Sequence, residues 1–204
     1  MALQSNFDND LRKEQLLAPL LDTCYSKNLK LYDFERISDL KKQMAGIDLI
    51  FHRKRDGETF YIDEKAQLDY INDDLPTFAF EICYLKKNTL KKGWFFDIMK
   101  KTQFYSLVTG IYQDEPQYFT SCKITLVNRQ KLLDFLKSRN LSMKTVEDYV
   151  AKHPKRQGKL ILNELDTKSE GYLYFSRNNK AEQPVNLILK LDFLLDQGLA
   201  KRLV

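Results

Sequence analysis

Gly46-Ile47-Asp48-Leu49-Ile50-Phe51 and, after a turn, Tyr61-Ile62-Asp63-Glu64-Lys65-Ala66-Gln67 set acids and a lysine inside runs that otherwise read as β-strands. Between them lies Arg55-Asp56-Gly57-Glu58, whose central Asp-Gly is a hairpin signal. Residues 47–53 and 59–68 are therefore predicted to pair as an antiparallel hairpin. Strand side chains alternate, so Tyr61, Asp63, Lys65 and Gln67 share one face while Ile62, Glu64 and Ala66 share the other. With the turn near Asp56-Gly57, Asp48 falls about opposite the region from Asp63 to Lys65. Two carboxylates and an ammonium then meet at one point of the sheet.

Upstream, Leu11, Leu16, Leu17, Leu20, Leu21 and Cys24 recur at helical spacing over 9–25, after caps at Asp8 or Asn9 and with Pro19 as a kink point. Residues 29–43 mix charged and apolar positions without a clean period. Downstream, 78–84 is rich in aromatic and branched residues and is expected to continue the hairpin as the third strand of a meander. A basic loop over 86–93, a short strand over 94–97 and a helical or mixed segment over 98–108 follow. Residues 122–128 alternate as a strand before helices at 129–139 and 143–152. The last third reads as strand 172–176, turn Asn178-Asn179, strand 185–190 and short helix 191–195. The expected class is α/β (α+β), a central mixed sheet flanked by helices. With no linker or repeat, the reading is one domain over 1–204, its core at about 9–140 and a strand and helix extension at 141–204.

A chain of 204 residues with 43% hydrophobic and 12% aromatic side chains can bury a real core. Its 33 basic residues against 28 acidic ones leave +5, which favours a polyanionic partner if gathered on one face. Cys24, Cys83 and Cys122 form no CxxC pair and sit among apolar residues, which points to buried free thiols in a reducing compartment. The N-terminus lacks a signal-peptide pattern and no apolar run is long enough for a membrane span, so a soluble cytoplasmic protein without a membrane partner is expected. Histidine-based sites have only His52 and His153 to draw on. Neither GxxxxGK[ST] nor GxGxxG occurs, which disfavours nucleotide-triphosphate and dinucleotide chemistry.

The hairpin's donors are hard oxygens, suited to Mg2+ or Mn2+, which keep several waters and bind phosphate oxygens at the same time. Asp48 and Asp63 would hold the ion, and Lys65 would stabilise transition-state charge or help activate the attacking water; the residues leave both roles open. Glu64, on the opposite face, is assigned to a structural ion pair. Glu81 interrupts the apolar run 78–84, where burial without a partner is costly, which makes it a further candidate for the metal or the lysine. Lys86, Lys87, Lys91, Lys92, Lys100 and Lys101 surround Trp94 and precede Tyr105, a pattern fit for a phosphate backbone, while Trp94 and Phe95 are also natural core residues.

An aspartate on one strand, a hairpin, then acid-x-lysine, here Asp48 and Asp63-Glu64-Lys65, resembles the PD-(D/E)xK (restriction-endonuclease-like) nuclease superfamily. The likeness covers the chain from the first helix to about Tyr105. It implies a restriction-endonuclease-like core and Mg2+-dependent hydrolysis of DNA, with DNA rather than RNA taken from the superfamily. It also implies an acid on the first helix, for which Glu14 is the candidate, and a polar residue after the lysine, matched by Gln67. A homodimer would serve the cutting of both strands. The alternatives are a non-catalytic nucleic-acid-binding or interaction module on the same fold, and a structural partner in a larger assembly.

Overall fold

A computed structural model describes residues 7–86, 89–178 and 182–204. Helix α1 (Phe7–Asn28) is followed by β1 (Tyr32–Arg36), α2 (Leu40–Met44), β2 (Leu49–Arg53), β3 (Thr59–Ala66), β4 (Thr77–Lys86) and β5 (Thr89–Lys92). Then come β6 (Phe104–Glu115), β7 (Tyr118–Asn128), α3 (Arg129–Ser138), α4 (Met143–Lys152), β8 (Gly158–Leu160), β9 (Gly171–Phe175), β10 (Val185–Lys190), α5 (Leu191–Asp196) and β11 (Ala200–Arg202). The protein is mixed α/β, with two sheets flanked by helices. No described helix is long and apolar enough to cross a membrane.

The chain divides into two compact units. One holds Thr77–Ile98 and Lys131–Leu194; the other holds the described residues up to Pro76, then Met99–Gln130 and Leu195–Val204. The units interleave in sequence.

The unit with the acid hairpin carries the six-stranded sheet β1-β2-β3-β6-β7-β11. All its neighbours are antiparallel except β3 and β6, which run parallel with Ile62 opposite Phe104 and Lys65 opposite Leu107. Leu17, Leu21 and Tyr25 recur every four residues on α1, so they form one stripe. They pack with Leu49, Phe51, Ile62, Val108, Ile111 and Ile124 of the sheet. Cys24 and Cys122, distant in sequence, meet here, and burial first, then Cys24, pushes the Cys122 thiol up to about 12.

The other unit carries the antiparallel sheet β5-β4-β10-β9-β8. This overturns the expected meander. The third strand does form, but β4 pairs with β10 and β5 instead of β3. The basic loop expected at 86–93 is also replaced: β5 pairs with β4, Lys92 opposite Cys83 and Lys91 opposite Tyr84. Residues 94–96 form bends and no strand runs over 94–97, and Phe95 is buried against Phe80, ring centroids 4.9 Å apart. Where a helical or mixed segment was expected at 98–108, the long strand β6 begins at Phe104. From Tyr105 to Ile111 it is buried on both faces, so its mix of apolar residues with Ser106 and Thr109 shows no alternation from which a strand could be read. Of the predicted turn Asn178-Asn179, Asn179 lies outside the described residues, as do the side chains of Asp8, Asn9 and Leu11.

Candidate functional site

The Asp-Gly turn closes with Gly57 at φ 71° and Arg53 N–H donating to the Glu58 carbonyl at 2.8 Å. That turn fixes a register in which Leu49 faces Ile62 and Phe51 faces Phe60. Asp48, one step before β2, extends the ladder: its N–H donates to the Ile62 carbonyl and its carbonyl accepts from Ile37 N–H, each at 2.8 Å. Asp48 therefore stands opposite Asp63 with both side chains on one face. Asp48 Oδ2 accepts from the Glu64 backbone N–H at 2.8 Å, and the Asp48 and Asp63 carboxylates lie within hydrogen-bonding reach of each other. Asp63 is only 2% exposed, and Lys65 Nζ, on a side chain 29% exposed, donates to its Oδ1.

Burial pushes the Asp48 carboxyl up to about 7; the Lys65 charge pulls the other way and the Asp63 charge adds to the rise. Burial draws the Lys65 ammonium down, but the charges of Asp63, then Asp48, and more weakly Glu14, outweigh it, so the net direction is up. Close buried carboxylates resist carrying two full negative charges together, and a cation relieves that repulsion.

Gly46 makes the approach to this pair possible. Its φ of 77° is open to glycine and strained for other residues. A Cβ there would lie 2.2 Å from Thr102 Oγ1, 3.2 Å from Lys100 Cδ and 3.5 Å from Asp63 Oδ2. The Thr102 hydroxyl donates to the Gly46 carbonyl at 2.9 Å, Lys101 N–H to Ala45 at 2.8 Å and Lys100 Nζ to Met44 at 2.7 Å. Gly46 and Thr102 were missed by sequence reasoning as parts of the site. A glycine directly ahead of a polar strand was their one available signal.

The two faces of β3 carry different sets of polar partners. On the far face, Glu64 accepts from the Tyr25 hydroxyl at 2.6 Å and pairs with Arg36 at 2.9 Å, and Arg36 also reaches Asp22 at 2.8 Å. Tyr25 and Ser106 share a further hydroxyl contact of 2.7 Å. The structural ion pair expected for Glu64 is thus present.

Among the other predicted residues, Glu14 is an exposed residue of α1 close enough to bias Lys65 electrostatically. Gln67 directly follows β3, its N–H donating to the Val108 carbonyl at 3.0 Å. Glu81 stands on β4 in the other unit, so the meander that would have brought it beside the hairpin is absent. Lys91 and Lys92 are exposed on β5 of that unit, whereas Lys100 and Lys101 belong to the hairpin's own unit. Lys87 and the Lys86 side chain lie outside the described residues. Tyr105 is fully buried, its hydroxyl accepting from Arg129 Nε at 3.1 Å, so it is no surface for stacking bases.

Among the described residues, no three His, Cys, Asp or Glu side chains converge into a ready-made cage. Two carboxylates with solvent access along Lys65 instead suit a cation that keeps water and takes its remaining ligands from a phosphate. Compared with known protein families, curated proteins and solved structures, the chain matches none.

Proposed function

We propose that this protein is a PD-(D/E)xK-type endonuclease that hydrolyses DNA phosphodiester bonds with Mg2+ or Mn2+. The observation that carries this reading is the Asp48–Asp63 carboxylate pair, in mutual hydrogen-bonding reach and beside the Lys65 ammonium on one sheet face. The mixed sheet around β3, with α1 packed on it, supports a restriction-endonuclease-like core.

Asp48 and Asp63 would hold the ion, their shared position being one where an added positive charge is favourable. Bound there, it would neutralise and polarise the scissile phosphate. Asp48 keeps one oxygen on Glu64 N–H, which fixes its rotamer and leaves the other oxygen to bind. Lys65 offers its charge to the phosphate oxygens as negative charge builds up in the transition state. Gln67, next on the same alternation, orients the attacking water, and Glu14 balances the lysine from α1. Lys100 and Lys101 contact the DNA backbone near the carboxylates, and Lys91 and Lys92 provide further cationic surface.

The test is cleavage of supercoiled plasmid, linear duplex and single-stranded DNA with Mg2+, Mn2+ or chelator, by wild type and by Asp63→Ala and Lys65→Ala. Metal-dependent cutting lost in both variants is the expected result. A folded wild type that neither cuts nor takes up metal would leave a non-catalytic module in its place.

A further inference from the structure

Beside the carboxylate pair, α2 and residues 99–101 form a rim with an unusual surface. Leu40 is 73% exposed, Met44 77% and Met99 79%. Single apolar side chains on a surface are ordinary, but several at one rim mark a contact surface. Lys41, Lys42 and Lys101 are exposed among them.

The rim is tied to the site by backbone contacts. Asp39 caps α2 by accepting from Lys41 N–H at 2.7 Å, which sets the helix's direction. Lys100 Nζ on the Met44 carbonyl and Lys101 N–H on the Ala45 carbonyl join the segment after residue 98 to the end of α2. Gly46 follows at once, flanked by the Lys100 stem and Asp63 Oδ2. The end of α2 is thereby joined through Gly46 to the neighbourhood of the Asp63 carboxylate.

Apolar side chains set among lysines match a duplex whose phosphates meet the cations while a hydrophobic wedge enters between base steps. We propose that the α2 rim is such a wedge. Leu40 and Met44 insert into the duplex, Lys41, Lys42 and Lys101 hold the flanking phosphates, and the substrate class is duplex DNA with an easily unstacked step, such as a mismatch or bulge. This rests on the nuclease reading and deepens it by naming what the site selects.

The probe is a short duplex carrying 2-aminopurine next to a mismatch, beside its fully paired counterpart. Binding is read by anisotropy and unstacking by 2-aminopurine fluorescence, both in chelator, with cleavage read separately in Mg2+. Wild type should raise the fluorescence and cut the mismatched duplex faster. The double variant Leu40→Ser with Met44→Ser, at exposed positions, should bind within about threefold of wild type but lose most of the fluorescence rise and the mismatch preference. Lys41→Ala with Lys42→Ala should weaken both duplexes by about tenfold and flatten the salt dependence.

Cleavage without a fluorescence rise overturns the wedge and leaves the nuclease reading standing. A rise lost in the serine variant, without metal-dependent cleavage by wild type, overturns the nuclease reading and keeps the wedge. A serine variant that binds, unstacks and discriminates like wild type overturns the proposal, as does failure of wild type to bind either duplex.

Discussion

Replacing Asp48 by asparagine should make the metal-free protein more stable while destroying its site. Asparagine keeps an oxygen for the Glu64 N–H bond and removes one of two close, poorly solvated charges. The folded-state carboxyl titrates at about 7 against 3.8 unperturbed. The unfolded chain thus gives up this proton first, and stability falls as pH rises from about 4 to about 7, then levels off. At about 1.4 kcal/mol per pH unit, the ceiling is roughly 4 kcal/mol; local relaxation and water entry bring the expected gain to about 1–3 kcal/mol above pH 7. For a chain of this size that is a rise in Tm of about 2–12 °C. Thermal melts in chelator at pH 8 should show it. At pH 5 the gap should have narrowed, since folded wild-type Asp48 is then protonated, and it should close below about pH 4, where the unfolded chain keeps this proton too. Adding Mg2+ at pH 8 should raise the wild-type Tm and leave the variant unmoved. An asparagine variant no more stable than wild type at pH 8, or one stabilised equally at pH 5, would refute the reasoning.

Glu64→Ala should cost about 1–3 kcal/mol, because it removes a partly buried ion pair with Arg36 and a hydrogen bond from the Tyr25 hydroxyl, leaving them only Asp22 and Ser106. Its cleavage rate per folded molecule should stay within about threefold of wild type at low temperature; a far larger loss would place Glu64 in the chemistry. Gly46→Ala should destabilise by roughly 2–4 kcal/mol, from the left-handed backbone and the clash with Thr102. Adding Thr102→Ser should not rescue it, since the hydroxyl stays; Thr102→Ala should recover part of the loss in urea melts.

The acid hairpin was legible because its information is local. Gly57 and the alternation of residues 61–67 determine the turn and the faces, and the register follows. The helices α3, α4 and α5 and the strands β7, β9 and β10 were also readable, each having a periodic apolar pattern. What sequence could not supply was partner choice between strands. Phe78 to Tyr84 is as apolar as a central strand of either sheet, and the tertiary structure seats it beside β10. Glu81 therefore stands on a strand that does not pair with the hairpin. β6 hid for a related reason, its burial on both faces erasing the alternation that marks a half-exposed strand. The three-residue β8 and β11 are too short to carry a pattern, and β1, a charged edge strand of five residues, alternates over only two apolar side chains, Tyr32 and Phe34.

The claim that Asp48 and Asp63 together form a cation site is tested most directly by titrating Mn2+ into DNA-free protein, with free ion counted by electron paramagnetic resonance. Wild type and Lys65→Ala should each take up Mn2+, and Asp48→Asn and Asp63→Asn should both lose that uptake. Equal uptake by wild type and both asparagine variants would contradict the account.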